Sequence, residues 1–112
     1  MTLQDIVAGL NLKLLTSPQD FTAVTPKGGY ASDLLSCVVA GAQPDNIWIT
    51  LQAHMNVVAV AALREVAAVI LTENAQPEAD VVERTNEQGV VLLSTEKPSY
   101  EVVGKLWELG IR

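Results

Sequence analysis

One cysteine, one histidine and one phenylalanine occur in 112 residues, and each scarcity closes off a kind of chemistry. Lone Cys37 excludes an internal disulfide and a cysteine-based zinc site drawn from this chain alone, and it suits a reducing compartment. A single histidine, His54, argues against a mononuclear transition-metal site without a second copy, so no metal and no cofactor is expected. With only Phe21, Tyr30, Trp48, Tyr100 and Trp107 as aromatics, the core must be built from Val, Leu, Ile and Ala. That composition suits buried parallel strands covered by Ala-rich helices. Basic residues are also few, 7 against 13 acidic ones for a net charge of −6, and they form no cluster. A nucleic-acid partner, which needs a basic footprint against phosphate, is therefore not expected. No apolar run reaches the roughly 20 residues that span a bilayer, because Arg64 and Glu65 interrupt the stretch from Val57 to Ile70. The start, "MTLQDIVAGL", has neither a basic n-region nor a cleavage pattern. Neither export nor membrane contact is expected, and the cytoplasm is the expected setting.

What is present is an alternation of strands and helices. Leu3, Ile6, Val7 and Leu10 recur at helical spacing, with Thr2 as N-cap and Asn11 as stop. "LKLLT" reads as a strand ended by "SPQD", and Phe21 to Thr25 as a second extended piece closed by "PKGG". Ser32 or Asp33 is expected to cap a helix that buries Leu34, Leu35, Val38 and Val39, with Cys37 buried beside them and Gly41 as the C′ stop. A strand at "IWITL" precedes a helix from about Asn56 to Val66, with Asn56 as its expected N-cap. A strand at "AVILT" precedes a helix from Glu78 to Gln88 that turns Val81, Val82 and Thr85 inward. "VVLLS" is the last strand. Pro98 fits position N1 of a final helix with Val102, Val103, Leu106 and Leu109 on its buried stripe. Trp48 and Trp107 are expected in the core or at an interface.

Strand–helix units joined by short turns imply parallel pairing with right-handed crossovers. The expected fold is α/β, a single three-layer domain over residues 1–112 with a mainly parallel sheet flanked by helices. Carboxyl ends of parallel strands open onto one edge, where ligands usually sit. Helix N-termini on the same edge favour anions. The candidate ligand-binding residues are accordingly Gln52, His54 and Asn56 after one strand, Thr72, Glu73 and Asn74 after the next, and Ser94 and Thr95 after the last. Ser32 and Asp33, ahead of an earlier helix, complete the set.

His54 invites a catalytic reading with Asp33 or Glu73 and a hydroxyl of Ser32 or Thr72. One histidine in a chain this long meets some acid or hydroxyl by chance, however. It reads first as a residue that closes a strand–helix turn and second as a ligand contact. No catalytic residue is assigned.

The order of "ITLQAHMNVVAVAAL", "AVILTENAQP", "GVVLLST" and "SYEVVGKL", from Leu10 onward, resembles the DRTGG domain. This small α/β module is found beside CBS domains, in phosphotransacetylases and as stand-alone bacterial and archaeal proteins, and it is related to the N-terminal domain of HPr kinase/phosphorylase. "GGYASDLLS" resembles the stand-alone members. The family pattern Gly-Asp-Arg-x-Asp falls on Gln52, Ala53, His54, Met55 and Asn56, and Thr-Gly-Gly falls on Thr72, Glu73 and Asn74. Thr72 is retained, whereas the Asp-Arg pair and both glycines are replaced. Loss of the Arg removes a permanent cation with a bidentate fork for phosphate.

A kinase of the HPr type needs a P-loop, and the only Gly-Lys pair, Gly104-Lys105, precedes Leu106 inside a helix. No kinase activity is expected. The resemblance implies a non-enzymatic regulatory or ligand-sensing module acting through a homodimer or a protein partner, in the setting of a redox or hydrogenase system. The alternative is binding of a small anionic metabolite or nucleotide at the strand-end edge.

Overall fold

The computed structural model describes residues 1–112. Its first helix, α1 (Leu3–Leu10), opens with a capping box. The Thr2 hydroxyl accepts the Asp5 amide at 3.2 Å, and the Asp5 carboxylate accepts the Thr2 amide at 2.9 Å. Two orphan donors of the first turn are thereby satisfied. Donation to the Asp5 carboxylate from the Thr2 backbone foremost, and from the Thr2 hydroxyl, holds that carboxyl below the usual carboxylate range. Asn11, in the left-handed region at φ 53°, turns the chain back into β1 (Lys13–Leu14).

The remaining elements follow in order: β2 (Gly29–Ala31), α2 (Leu35–Gly41), β3 (Ile47–Thr50), α3 (Met55–Arg64), β4 (Ala68–Leu71), α4 (Ala79–Glu87), β5 (Leu92–Ser94) and α5 (Ser99–Glu108). They build one five-stranded sheet in the order β1-β5-β4-β3-β2. Strands β2 to β5 run parallel, and β1 pairs antiparallel with β5, Lys13 opposite Ser94 and Leu14 opposite Leu93. The expected α/β fold with a mainly parallel sheet is therefore what forms.

Buried residues on both faces of β3, β4 and β5 give three layers, since successive strand side chains point to opposite sides. Ile47, Ile49, Ile70 and Leu93 pack against Leu3, Ile6 and Leu10 of α1 and Val102 and Leu106 of α5. On the other face Trp48, Val69, Leu71 and Leu92 meet Val38 of α2 and Val57 and Ala61 of α3. No helix is long and apolar enough to cross a membrane.

Several local expectations are corrected. Phe21–Ala23 forms a single 3-10 turn instead of an extended piece, because the Asp20 carboxylate accepts the Thr22 amide at 3.0 Å and Phe21 is drawn into the core. The expected strand "LKLLT" keeps only Lys13 and Leu14 in the ladder. Gly29–Ala31 is a strand that the sequence pattern missed, an edge with no apolar alternation that exists through its register with Ile47–Ile49. Neither Ser32 nor Asp33 caps α2, whose N-cap is Leu34 without a side-chain bond. Leu34, Val39 and Cys37 lie exposed, so α2 buries a narrower stripe than expected. Gly41 is the last helical residue of α2, not a C′ stop. It is needed for close approach, since a Cβ there would lie 2.6 Å from the Tyr30 ring, whose hydroxyl donates to the Cys37 carbonyl. Pro98 is the N-cap of α5, one place before the expected N1. Trp48 is fully buried, while Trp107 lies exposed with the Arg112 guanidinium 5.4 Å from its ring centre.

Candidate functional site

All four parallel strands end on one edge, and the residues singled out from the sequence lie at those strand ends, in the loops leaving them or at the start of the following helix. The structure divides these residues into two groups. One lies at the ends of β2 and β3. Here the Asp33 carboxylate accepts the Thr50 hydroxyl and the Leu51 amide, both at 2.8 Å. The Thr50 hydroxyl in turn accepts the Gln52 amide at 3.1 Å. The Ser32 hydroxyl accepts the Leu34 amide at 3.1 Å, and its carbonyl accepts Nε1 of buried Trp48 at 3.0 Å. Asp33 and Ser32 thus fasten the β2 loop to the end of β3 instead of capping a helix. Sequence reading missed Thr50, a buried polar residue in an apolar strand whose hydroxyl joins the two loops.

His54 occupies the N-cap of α3, the place expected for Asn56. Its Nδ1 accepts the Asn56 amide at 3.1 Å. An imidazole nitrogen in that role carries no proton, which assigns the Nε2–H tautomer. Asn56 is therefore the second helical residue, with its side chain free in solvent. None of Ser32, Asp33, Thr72 and Glu73 bonds to the ring, whose single hydrogen bond is the cap. His54 faces instead a shallow groove of about 400 Å³ shared with Glu78 and Asp80, surroundings that disfavour an anion. No three His, Cys, Asp or Glu side chains converge as metal ligands.

The second group lies at the ends of β4 and β5. Buried Thr72 bonds through its hydroxyl to the Ser99 hydroxyl and through its amide to the Thr50 carbonyl at 3.0 Å. Glu73 and Asn74 both take left-handed backbone, at φ 58° and 59°. Their amides donate to the Lys97 carbonyl at 2.9 Å and the Thr95 carbonyl at 3.1 Å, tying the two loops together. The Glu73 carboxylate accepts the Ser99 amide at 2.7 Å, at the first residue of α5. That is an acidic group at the positive end of a helix dipole. Beyond this lock, Asn74, Ser94 and Thr95 line a second groove of about 340 Å³ with Lys13, Gln76 and Lys97. Lys97 stood in plain view in "STEKPSY". Lys13 did not, because only the β1–β5 register brings it to this edge.

The edge thus offers two polar regions separated by the loop that leads into α4. It holds no paired nucleophile and base. The Asp33 and Glu73 carboxylates and the His54 imidazole are engaged in loop closure and helix capping.

Comparison with known proteins agrees with this architecture. The sequence profile described as the DRTGG domain matches residues 30–109. A solved structure of the CBS and DRTGG domains of the regulatory region of Clostridium perfringens pyrophosphatase, complexed with the activator diadenosine tetraphosphate, superimposes with a TM-score of 0.76 at 13% identity. At that identity the likeness is one of fold. It covers 94% of this chain and 45% of the other, so the chain spans less than half of its neighbour's length. No curated protein matches. With most of its residues inside the profile and its sheet on the same plan, the chain belongs to the DRTGG domain family.

Proposed function

We propose that this chain acts as a non-enzymatic regulatory module, one DRTGG-like domain over residues 1–112 that senses a small ligand at its strand-end edge and works through a homodimer or a protein partner. The observation that carries the reading is the use made of the chemically capable groups. Asp33, His54 and Glu73, the groups from which a catalytic set could be drawn, each accept a backbone amide of a neighbouring loop or helix, and none is paired with a nucleophile. Such an edge holds its shape and presents donors without performing a reaction. The regulatory assignment of the Clostridium perfringens neighbour, and its nucleotide activator, support ligand sensing by analogy of fold.

Leu34, Val39 and Leu63 remain exposed, and a module that covers them against a second chain gains stability. The family resemblance alone points to a redox or hydrogenase assembly in the cytoplasm as the setting. A thermal-shift screen of nucleotides and phosphorylated metabolites, run beside mass measurement in solution, tests the reading. A ligand that binds the native state raises the melting point by mass action. Turnover by the purified chain, for example transfer of labelled phosphate from ATP to a protein, would overturn the non-enzymatic part. A monomer with no response to any ligand and no partner would overturn the rest.

A further inference from the structure

At the outer corner of the edge, β1 lies antiparallel beside β5 and sets Lys13 directly opposite Ser94. Opposed residues of such a pair project from the same face with Cβ atoms about 5 Å apart. Ser94 is only 7% exposed. No side-chain polar atom sealed from solvent lacks a partner in this fold, so the Ser94 hydroxyl, which has none within the chain, reaches the groove it lines. Opening onto the groove, that hydroxyl is left to bond with ordered solvent or with a ligand there.

The other groups around it are also donors with capacity left. Lys13 makes no ion pair, both salt bridges of the fold lying elsewhere, on α4 and α5. The Lys97 ammonium donates to the Leu10 carbonyl at 2.8 Å, which leaves two of its three N–H groups. Asn74 accepts the Gln76 side-chain Nε2–H through Oδ1 at 3.0 Å, so its own NH₂ stays free. The Thr95 hydroxyl accepts the Lys97 amide at 3.2 Å and keeps its proton.

Charge and shape narrow the ligand. Lys13 and Lys97 against Glu96 make the corner locally positive in a chain of net charge −6. No apolar side chain lines the groove, so it has no surface on which a purine or other ring can bury. Its volume, about 340 Å³, lies near the low end of ligand sites, which run from about 300 to 1,000 Å³. We propose that the β1/β5 corner binds a small hydroxylated phosphate ester, the phosphate held by Lys13 and Lys97 and the hydroxyls by Ser94, Asn74 and Thr95. This rests on the ligand-sensing reading above and replaces its nucleotide with a smaller, base-free molecule.

The test is a nitrogen-15 NMR titration of the full chain at fixed ionic strength with ribose 5-phosphate, and with ribose and inorganic phosphate as separate arms. Saturable shifts are expected at the amides of Lys13, Asn74, Ser94 and Thr95. Lys13→Ala is expected to weaken binding by about tenfold, the scale of one hydrogen bond to a charged group, and Ser94→Ala by about fivefold, the scale of a bond between neutral groups. Lys13 is exposed and its variant keeps the fold; Lys105→Ala on α5 serves as a charge-matched control with unchanged affinity. Shifts absent or confined to other residues, or affinity unaltered in Lys13→Ala, would overturn the proposal. Inorganic phosphate binding as tightly as the ester would overturn the ester class. A saturable nucleotide response around His54 to Asn56 with a silent corner would sink this site while leaving ligand sensing intact.

Discussion

Glu73 stands where the family pattern carries a glycine, and replacing it separates two opposed effects. Its backbone is left-handed, at φ 58°, which costs an L-residue about 1–2 kcal/mol. Glycine removes that strain but loses about 0.5–1 kcal/mol more chain entropy on folding, for a net gain of about 0.5–1 kcal/mol. Against this, the Glu73 carboxylate accepts the Ser99 amide at 2.7 Å in the first turn of α5. Loss of such a cap costs about 1 kcal/mol. Glu73→Ala keeps the strain and loses the cap, so it is expected to destabilise by about 1 kcal/mol. Glu73→Gly loses the cap and relieves the strain, so its stability should fall within about 0.5 kcal/mol of the parent. Urea unfolding followed by circular dichroism reads both, provided the slope with denaturant stays constant across the set. If Glu73→Gly is as unstable as Glu73→Ala, the strain of the left-handed backbone does not exceed the chain entropy that glycine loses, about 0.5–1 kcal/mol. If Glu73→Ala matches the parent, the carboxylate is not holding α5, and the lock between the β4 and β5 loops is wrongly described.

Other outcomes are expected elsewhere in the fold. His54→Ala should cost about 1 kcal/mol in the same urea assay, while His54→Ser, which keeps an N-cap acceptor, should recover most of it. Trp48→Phe, which leaves a gap and strips the bond to the Ser32 carbonyl, should cost about 2–3 kcal/mol by thermal or urea unfolding. The pKa of Asp5 is lowered in the folded chain by its bonds to Thr2. Its contribution to stability is therefore complete above the unfolded value, near 3.8, and is lost as pH falls through the lower folded value. A carbon-13 titration of the Asp5 carboxyl checks this, and Asp5→Asn should remove the pH dependence. Exposed Cys37 should react with Ellman's reagent in the native state at one thiol per chain, an outcome that a buried residue would prevent.

How much of this was legible depended on whether the signal was local. Helices α1, α3, α4 and α5 announce themselves by apolar spacing, and β3, β4 and β5 by short Val/Ile/Leu runs, because each must bury a face against the sheet or both faces within it. Strand β2 has no such signal. Gly29, Tyr30 and Ala31 are extended because β3 offers them a partner, a non-local cause. Asp20 overrode extended propensity at Phe21–Ala23 by accepting both the amide and the hydroxyl of Thr22, two residues on. The caps were misread for a related reason. Ser32, Asp33 and Asn56 are good caps by residue type, yet Asp33 is claimed by Thr50 across 17 positions and His54 stands closer to the start of α3. Sequence showed which loops meet at the edge; it did not show that they form two regions, since that follows from how α4 enters between them.

The replaced signature positions have a common fate. Glycines suit positions 73 and 74 because both take left-handed backbone, and this chain meets that demand with a glutamate and an asparagine, the latter among the residues best tolerated there. Position 54, where the family carries Arg, holds a histidine whose Nδ1 is turned to the helix it precedes. In both loops a residue that departs from the family pattern caps a helix, the imidazole of His54 the one that follows it, α3, and the carboxylate of Glu73 the more distant α5. Capping directs a side chain's polar atoms inward, and the cationic fork for phosphate is gone from position 54. The free cation of the edge is instead Lys13, which arrives on β1 from outside the signature loops. The site proposed for the phosphate ester accordingly lies not at the β3–β4 end of the edge but at its β1–β5 end, where two lysines stand against one glutamate and the Ser94 hydroxyl has no partner within the chain.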